Sequence, residues 1–167
     1  TFKDCAESYM DAKESGHSND KHKKQWRATL RTYAYPVIGN MLMGDISMRN
    51  ILDVLNQEIK DPKSKETIGK FWEVKTETAS RVQQRMKSVF DYAIVNEYRD
   101  GNNPALWDGF LDTQLSSPKK IKTVKHHPSL PYQELGDFVA QLKKNNSISA
   151  KALWFLIYSG FRSGSVR

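Results

Sequence analysis

The sequence predicts an all-α fold, and three observations carry that expectation. Apolar residues recur at three- and four-residue spacing in the long segments before residue 105. No stretch shows the strict apolar/polar alternation of a half-buried strand. The periodic segments are separated by helix-stopping residues, among them Gly16, Pro36, Gly101 and Pro104.

Taken in order, Phe2, Cys5, Ala6, Tyr9 and Met10 fall at helical spacing and predict a first helix from Phe2 to Ser15, ended by Gly16. A second helix is expected from about Asn19 to Ala34, with Trp26, Leu30, Tyr33 and Ala34 as its apolar stripe. Pro36 should stop it, because the ring and the missing N–H break the hydrogen-bond ladder. Residues 36–47 read as a compact connection punctuated by Gly39 and Gly44. Ser47 is placed to cap a third helix reaching about Ile59, with Ile51, Leu52, Val54, Leu55 and Ile59 turned inward. Asp61 to Lys70 is polar and aperiodic and reads as a loop. A fourth helix from Thr76 to Tyr98 carries Ala79, Val82, Met86, Val89, Phe90, Ala93 and Ile94, with Gly101 and Pro104 closing it. The outcome is a small helical bundle over residues 1–105.

Residues 106–130 change character. Trp107, Phe110 and Leu111 are isolated apolar positions, and the run from Ser116 to Pro128 is basic and proline-flanked, which reads as a linker. Two further helices, Tyr132 to Lys144 and Ser149 to Ser159, open a second domain over residues 131–167. No internal repeat is visible.

Composition narrows the class. Hydrophobic residues make up 38% of the chain and aromatic residues 11%, enough for a buried core. No apolar run approaches the roughly 18 residues of a membrane span, and no signal segment opens the chain. The chain starts at Thr1, so a natural N-terminal segment is expected before it. The single cysteine, Cys5, cannot form an internal disulfide and lies in the apolar pattern of the first helix, where a core role fits better than a catalytic thiol.

The formal net charge is +7, which favours a polyanionic partner, nucleic acid before an acidic membrane surface. Its distribution says more. Between Lys21 and Gly44 there is no acidic residue, while Lys21, Lys23, Lys24, Arg27 and Arg31 all lie there. On a helix, Lys21, Lys24, Arg27 and Arg31 fall near one face, where like charges repel unless something such as a phosphate backbone offsets them; a solvated surface face is the alternative. On the fourth helix Arg81, Gln84, Arg85 and Ser88 lie opposite the apolar stripe. Arginine and glutamine can read base edges and serine often meets phosphate, although ordinary exposed polar positions look the same. The linker adds Lys119, Lys120, Lys122, Lys125, His126 and His127, which suits a basic strap across DNA and, on composition alone, a nuclear-localisation signal. The paired histidines have no cysteine or acidic ligand at metal spacing, so no metal site is expected.

Several stretches, in this order and spacing, resemble the tyrosine recombinases, and within them the prophage-type integrases: Lys21-His-Lys-Lys-Gln-Trp-Arg27, Tyr35-Pro-Val-Ile-Gly39, Thr76-Glu-Thr-Ala-Ser-Arg81, Gly101-Asn-Asn-Pro-Ala105, Val124-Lys-His-His127 and the closing Tyr158-Ser-Gly-Phe-Arg162. The resemblance spans essentially the whole chain. It implies a SAM-like core-binding domain over residues 1–105, a basic linker over 106–130 and the start of a catalytic domain over 131–167. It implies a parent enzyme that integrates or excises a mobile element. In that chemistry a tyrosine attacks a DNA phosphodiester and forms a 3′-phosphotyrosyl bond, arginines stabilise the phosphate, and no cofactor or metal is needed. Arg162 stands where the family has its first catalytic arginine.

Two positions depart from the family pattern: Ser165 replaces an acidic residue expected three places after that arginine, and Asp61 to Lys70 reads as an insertion. Every tyrosine here precedes Arg162, whereas the family's nucleophile follows it, so the chain by itself is expected to be inactive. The implied partners are double-stranded DNA and, in the full-length protein, other recombinase protomers, with no membrane. The implied location is the bacterial cytoplasm, in company with the nucleoid. A helical DNA-binding regulator without strand-exchange chemistry, and a bundle that meets an acidic protein, are the rival classes.

Overall fold

Phe2 and Phe90 are both fully buried, and their rings meet at 5.5 Å. This contact between the first helix and the longest one marks the centre of the core. The computed structural model describes residues 1–14, 20–121 and 127–166, and the chain divides into two compact units, Thr1–Val124 and Lys125–Arg167.

In the first unit α1 spans Phe2–Glu14 and buries Phe2, Cys5, Ala6 and Met10, the residues its spacing selects. The expected stop at Gly16 lies outside the described residues. Helix α2 runs Asp20–Thr29 and does not end before Pro36. It passes through a π turn, Leu30–Ala34, into α3, Tyr35–Ile38. The Tyr35 N–H donates to the Leu30 carbonyl, which widens the helix just ahead of the proline. Pro36 then occupies the first turn of α3, where a missing N–H is tolerated. The proline therefore relocates the helix axis instead of terminating it.

Ser47 caps α4, Met48–Asn56, and its backbone N–H donates to Asn50 Oδ1 at 3.0 Å, the return leg of a capping box. The helix stops before Ile59. The chain turns there into a two-stranded antiparallel hairpin, β1 Glu58–Lys60 and β2 Thr67–Lys70, in place of the expected loop. Among the described residues the architecture remains all-helical apart from this hairpin. Ile59 is the strand residue that enters the core. Gly69 has φ +132°, and a Cβ there would lie 2.8 Å from Val74 Cγ1. We expect Gly69→Ala to cost about 1–3 kcal/mol in urea denaturation, from backbone strain and this clash.

A short helix α5, Phe71–Val74, follows directly and leads into α6, Thr76–Val95. Phe71 and Trp72 are buried, and Phe71 stacks on Tyr33 at 4.1 Å. Beyond α6 the chain returns along the bundle. Asn103 Nδ2 donates to the Lys87 carbonyl, and Gln83 Nε2 donates to the Ala105 carbonyl. Leu111 and Leu115 are buried, and Trp107 stacks on Trp72 at 5.3 Å. The first part of the stretch read as a linker thus belongs to the bundle. It ends in a short helix α7, Pro118–Ile121, which packs against α6.

The second unit holds α8, Leu135–Lys143, packed on α9, Ile148–Ser159. Ser147 caps α9 by accepting the Ala150 N–H at 3.2 Å, and Gly160 closes it in the left-handed region at φ 64°. Val139 and Ala150 are buried between these helices, whereas Trp154, Phe155 and Tyr158 are exposed. Among the described residues no helix is long and apolar enough to cross a membrane.

Candidate nucleic-acid interface

The two basic helices singled out in the sequence are joined through one arginine of α6 and through the π turn that continues α2, on which α6 packs. Arg85 of α6 donates to the Gln25 carbonyl at 3.0 Å and to Thr29 Oγ1, both on α2, and its guanidinium lies 5.2 Å from the Trp26 ring centre. At the other end of the pair, Lys75 Nζ lies 3.4 Å from Tyr33 Oη. Residue 85 meets 25 and 29 while residue 75, just ahead of α6, meets 33, so α6 runs antiparallel to α2 and the π turn that continues it.

Arg85 departs from the exposed position expected for it. It is only 5% exposed, and burial, with the Arg81 cation nearby adding to it, pulls its pKa below the ordinary arginine value. An arginine so placed is a clasp between helices, with its Nη1 committed to acceptors on α2. Its neighbours differ. Arg81 and Gln84 are exposed, and Ser88 is half-buried with its hydroxyl donating to the Gln84 carbonyl. Arg81 pairs with Glu77 one turn back at 2.6 Å, with both side chains largely exposed, a pair of little net worth that a phosphate can replace. We expect Arg85→Ala to lower the unfolding free energy by about 2 kcal/mol, from lost hydrogen bonds and the ring contact. Arg81→Ala should stay within about 0.5 kcal/mol of the parent.

On α2 and the π turn that continues it, the structure divides the predicted basic face. Arg27 Nε donates to Glu7 Oε2 at 2.9 Å, and its Nη2 donates to Asp11 Oδ1 at 2.6 Å. The acidic neighbours absent from the local sequence come from α1. Tyr35 joins the same network by donating to Glu7 Oε1 at 3.0 Å, and burial together with that bond holds its phenol well above the ordinary tyrosine range. Lys24 and Arg31 are exposed, and neither has an ion-pair partner among the described residues. Lys21 and Lys23 lie on the helical backbone of α2, and their side chains fall outside the described residues.

Lys119 and Lys120 are exposed on α7 beside α6, and His127 is exposed. Lys122, Lys125 and His126 lie outside the described residues. Lys75, which the sequence reading passed over, is exposed where α6 begins, its ammonium 5.8 Å from the Tyr33 ring centre. Nothing in the local pattern marks it, since its role depends on the distant Tyr33.

In the second unit Arg162 is exposed just beyond Gly160. A tight turn over Ser163–Ser165 follows, and the Ser165 N–H donates to the Arg162 carbonyl at 2.8 Å. The backbone therefore closes this turn without an acidic side chain at position 165.

The helical bundle of the first unit matches a known class. Residues 2–110 match the phage integrase central domain family, and the chain belongs to that family. The resemblance to prophage-type integrases of the tyrosine recombinase family is borne out. The chain is 26% identical over 167 residues to the prophage integrase IntZ of Escherichia coli strain K12, covering 99% of this chain and 36% of that protein. It is 25% identical over 124 residues to the integrase of Enterobacteria phage P4, covering 74% of this chain and 24% of that protein. A solution NMR structure of a Nitrosospira multiformis protein shares 42% identity with a TM-score of 0.55, covering 68% of this chain and 95% of that one. The chain thus spans about a third or less of the length of these curated integrases.

Proposed function

We propose that the first unit is the DNA-holding domain of a site-specific recombinase and that the α2–α6 pair lies against the duplex. The observation that carries this is the antiparallel pairing of the two basic helices through the buried Arg85. It leaves Lys24, Arg31, Arg81 and Gln84 exposed on adjoining elements. A buried clasp fixes the spacing of the exposed donors before any ligand arrives, so little side-chain order is lost on binding. Lys119 and Lys120 extend the cationic surface along α7.

In the parent protein Arg162 would grip the scissile phosphate with its planar fork of donors while a tyrosine elsewhere attacks phosphorus. The parent integrates or excises a mobile element as an assembly of protomers on DNA, in the bacterial cytoplasm. Four of the seven tyrosines are poorly placed as the nucleophile: Tyr9, Tyr33, Tyr35 and Tyr92 are half-buried in the bundle, and Tyr35 is bonded to Glu7; the exposed Tyr98, Tyr132 and Tyr158 all precede Arg162, whereas the family's nucleophile follows that arginine. We therefore expect no covalent protein–DNA adduct on a nicked suicide substrate, and an adduct would overturn that assignment. Duplex binding, measured by anisotropy across a salt series, should be steeply salt-dependent, each phosphate contact adding about −0.9 to the slope of log affinity against log salt. Absence of duplex binding at low salt would refute the DNA-holding role.

A further inference from the structure

We infer that the hairpin Glu58–Lys70 is a second DNA contact, a cationic finger that grips duplex phosphates beside the α2–α6 face; this rests on the DNA-holding role proposed above. The hairpin is anchored at its base and ordered at its tip. Ile59 is buried, the Phe71 N–H donates to the Gln57 carbonyl at 2.9 Å, and Gly69 lets β2 lie close against Val74. At the tip, Asp61 Oδ1 accepts the N–H groups of Lys63 at 2.7 Å and Ser64 at 2.9 Å, and the Asp61 N–H donates to the Glu66 carbonyl at 2.8 Å. Glu58 accepts the Thr67 hydroxyl at 3.2 Å.

Two of the hairpin's three acidic side chains are thus occupied in holding its shape; the third, Glu66, is exposed, and with Lys70 the hairpin sets four lysines against three carboxylates. Lys60, Lys63 and Lys65 are exposed, and none has an ion-pair partner among the described residues. The lysines are presented on a fixed scaffold, which lowers the entropic cost of docking to phosphates.

The finger is continuous with the proposed interface. Its second strand runs straight into Phe71, which stacks on Tyr33 of the π turn, and Lys75 sits over the same tyrosine ring. A duplex lying along α2 and α6 and extending past Tyr33 would reach Lys75 and then the finger. Lysine suits this role because it meets phosphate as a point charge without demanding a base.

The test uses the full chain and a fluorescent duplex, with affinity measured over a salt series for the parent, for Lys60→Gln/Lys63→Gln/Lys65→Gln, and for the same positions changed to arginine. We expect the glutamine variant to keep the parent's circular dichroism and melting curve. Its log–log salt slope should be shallower by about 0.9 for each lysine that meets a phosphate, while the arginine variant keeps the parent slope. An unchanged slope in the glutamine variant, with the parent binding normally, would overturn the finger and leave the α2–α6 face standing. A parent that binds no duplex would overturn the DNA-holding role and the finger together. If the glutamine variant fails to fold, single substitutions at Lys63 and Lys65 on the exposed tip carry the same comparison, and unchanged slopes there overturn the finger.

Discussion

Trp72→Ala should destabilise the first unit by about 3–5 kcal/mol in chemical denaturation. The ring is 2% exposed, stacks on Trp107 at 5.3 Å, and donates from its indole nitrogen to the Ser116 carbonyl at 2.8 Å. Truncation would open a cavity, leave that carbonyl without its donor and remove the ring that holds Trp107. The loss should not stay local, because the segment from Trp107 to Ile121 is tied to the bundle largely through these contacts. We expect hydrogen exchange over that segment to rise before the rest of the unit unfolds. If residues 106–121 were a free linker, the substitution would leave their exchange unchanged, because it would already be fast.

The second large effect concerns binding. Lys24→Ala combined with Arg31→Ala should weaken duplex binding without changing helix content. Two phosphate contacts, each contributing about 0.9 to the slope, are worth about 60-fold between 1 M and 0.1 M salt. Both side chains are exposed and unpaired among the described residues, so stability should move by no more than about 0.5 kcal/mol. Arg27 is the instructive control. It lies on the same predicted stripe, but Glu7 and Asp11 hold it against α1. Arg27→Ala should cost about 1 kcal/mol of stability, modest because both pairs are partly exposed. A drop in affinity with Arg27→Ala equal to that of the Lys24/Arg31 pair would show that the division of this face is wrong.

These cases show what was legible in the sequence. Long periodic segments announced themselves: the inward residues Val82, Met86, Val89 and Phe90 of α6 are those its spacing selects, because helical period alone decides which side faces a core. Phe71 and Trp72 went unread because α5, Phe71–Val74, is shorter than the window over which a period can be seen. Trp26, the aromatic that the pattern favoured as a core anchor, is only half-buried, sandwiched by Tyr9 and Arg85. Local pattern finds the buried side of a helix and is blind to a partner far along the chain. The same limit explains the site. Arg81 and Gln84 emerge exposed, as their positions suggested, whereas Arg85, one residue further on, turns inward to carbonyl and hydroxyl acceptors on α2 that no local pattern records. The hairpin escaped detection because a strand of three residues is too short for its alternation to stand out.

The central claim is that the α2–α6 pair is the surface that meets DNA. Titrating an unlabelled duplex into the nitrogen-15-labelled chain and following amide shifts tests it most directly. The account predicts that the largest perturbations map to the exposed positions of these two helices, around Lys24 to Thr32 and Arg81 to Ser88, with Lys75 and the hairpin lysines next. Perturbations confined to α8 and α9 or to the α1 surface, with those two helices silent, would contradict it.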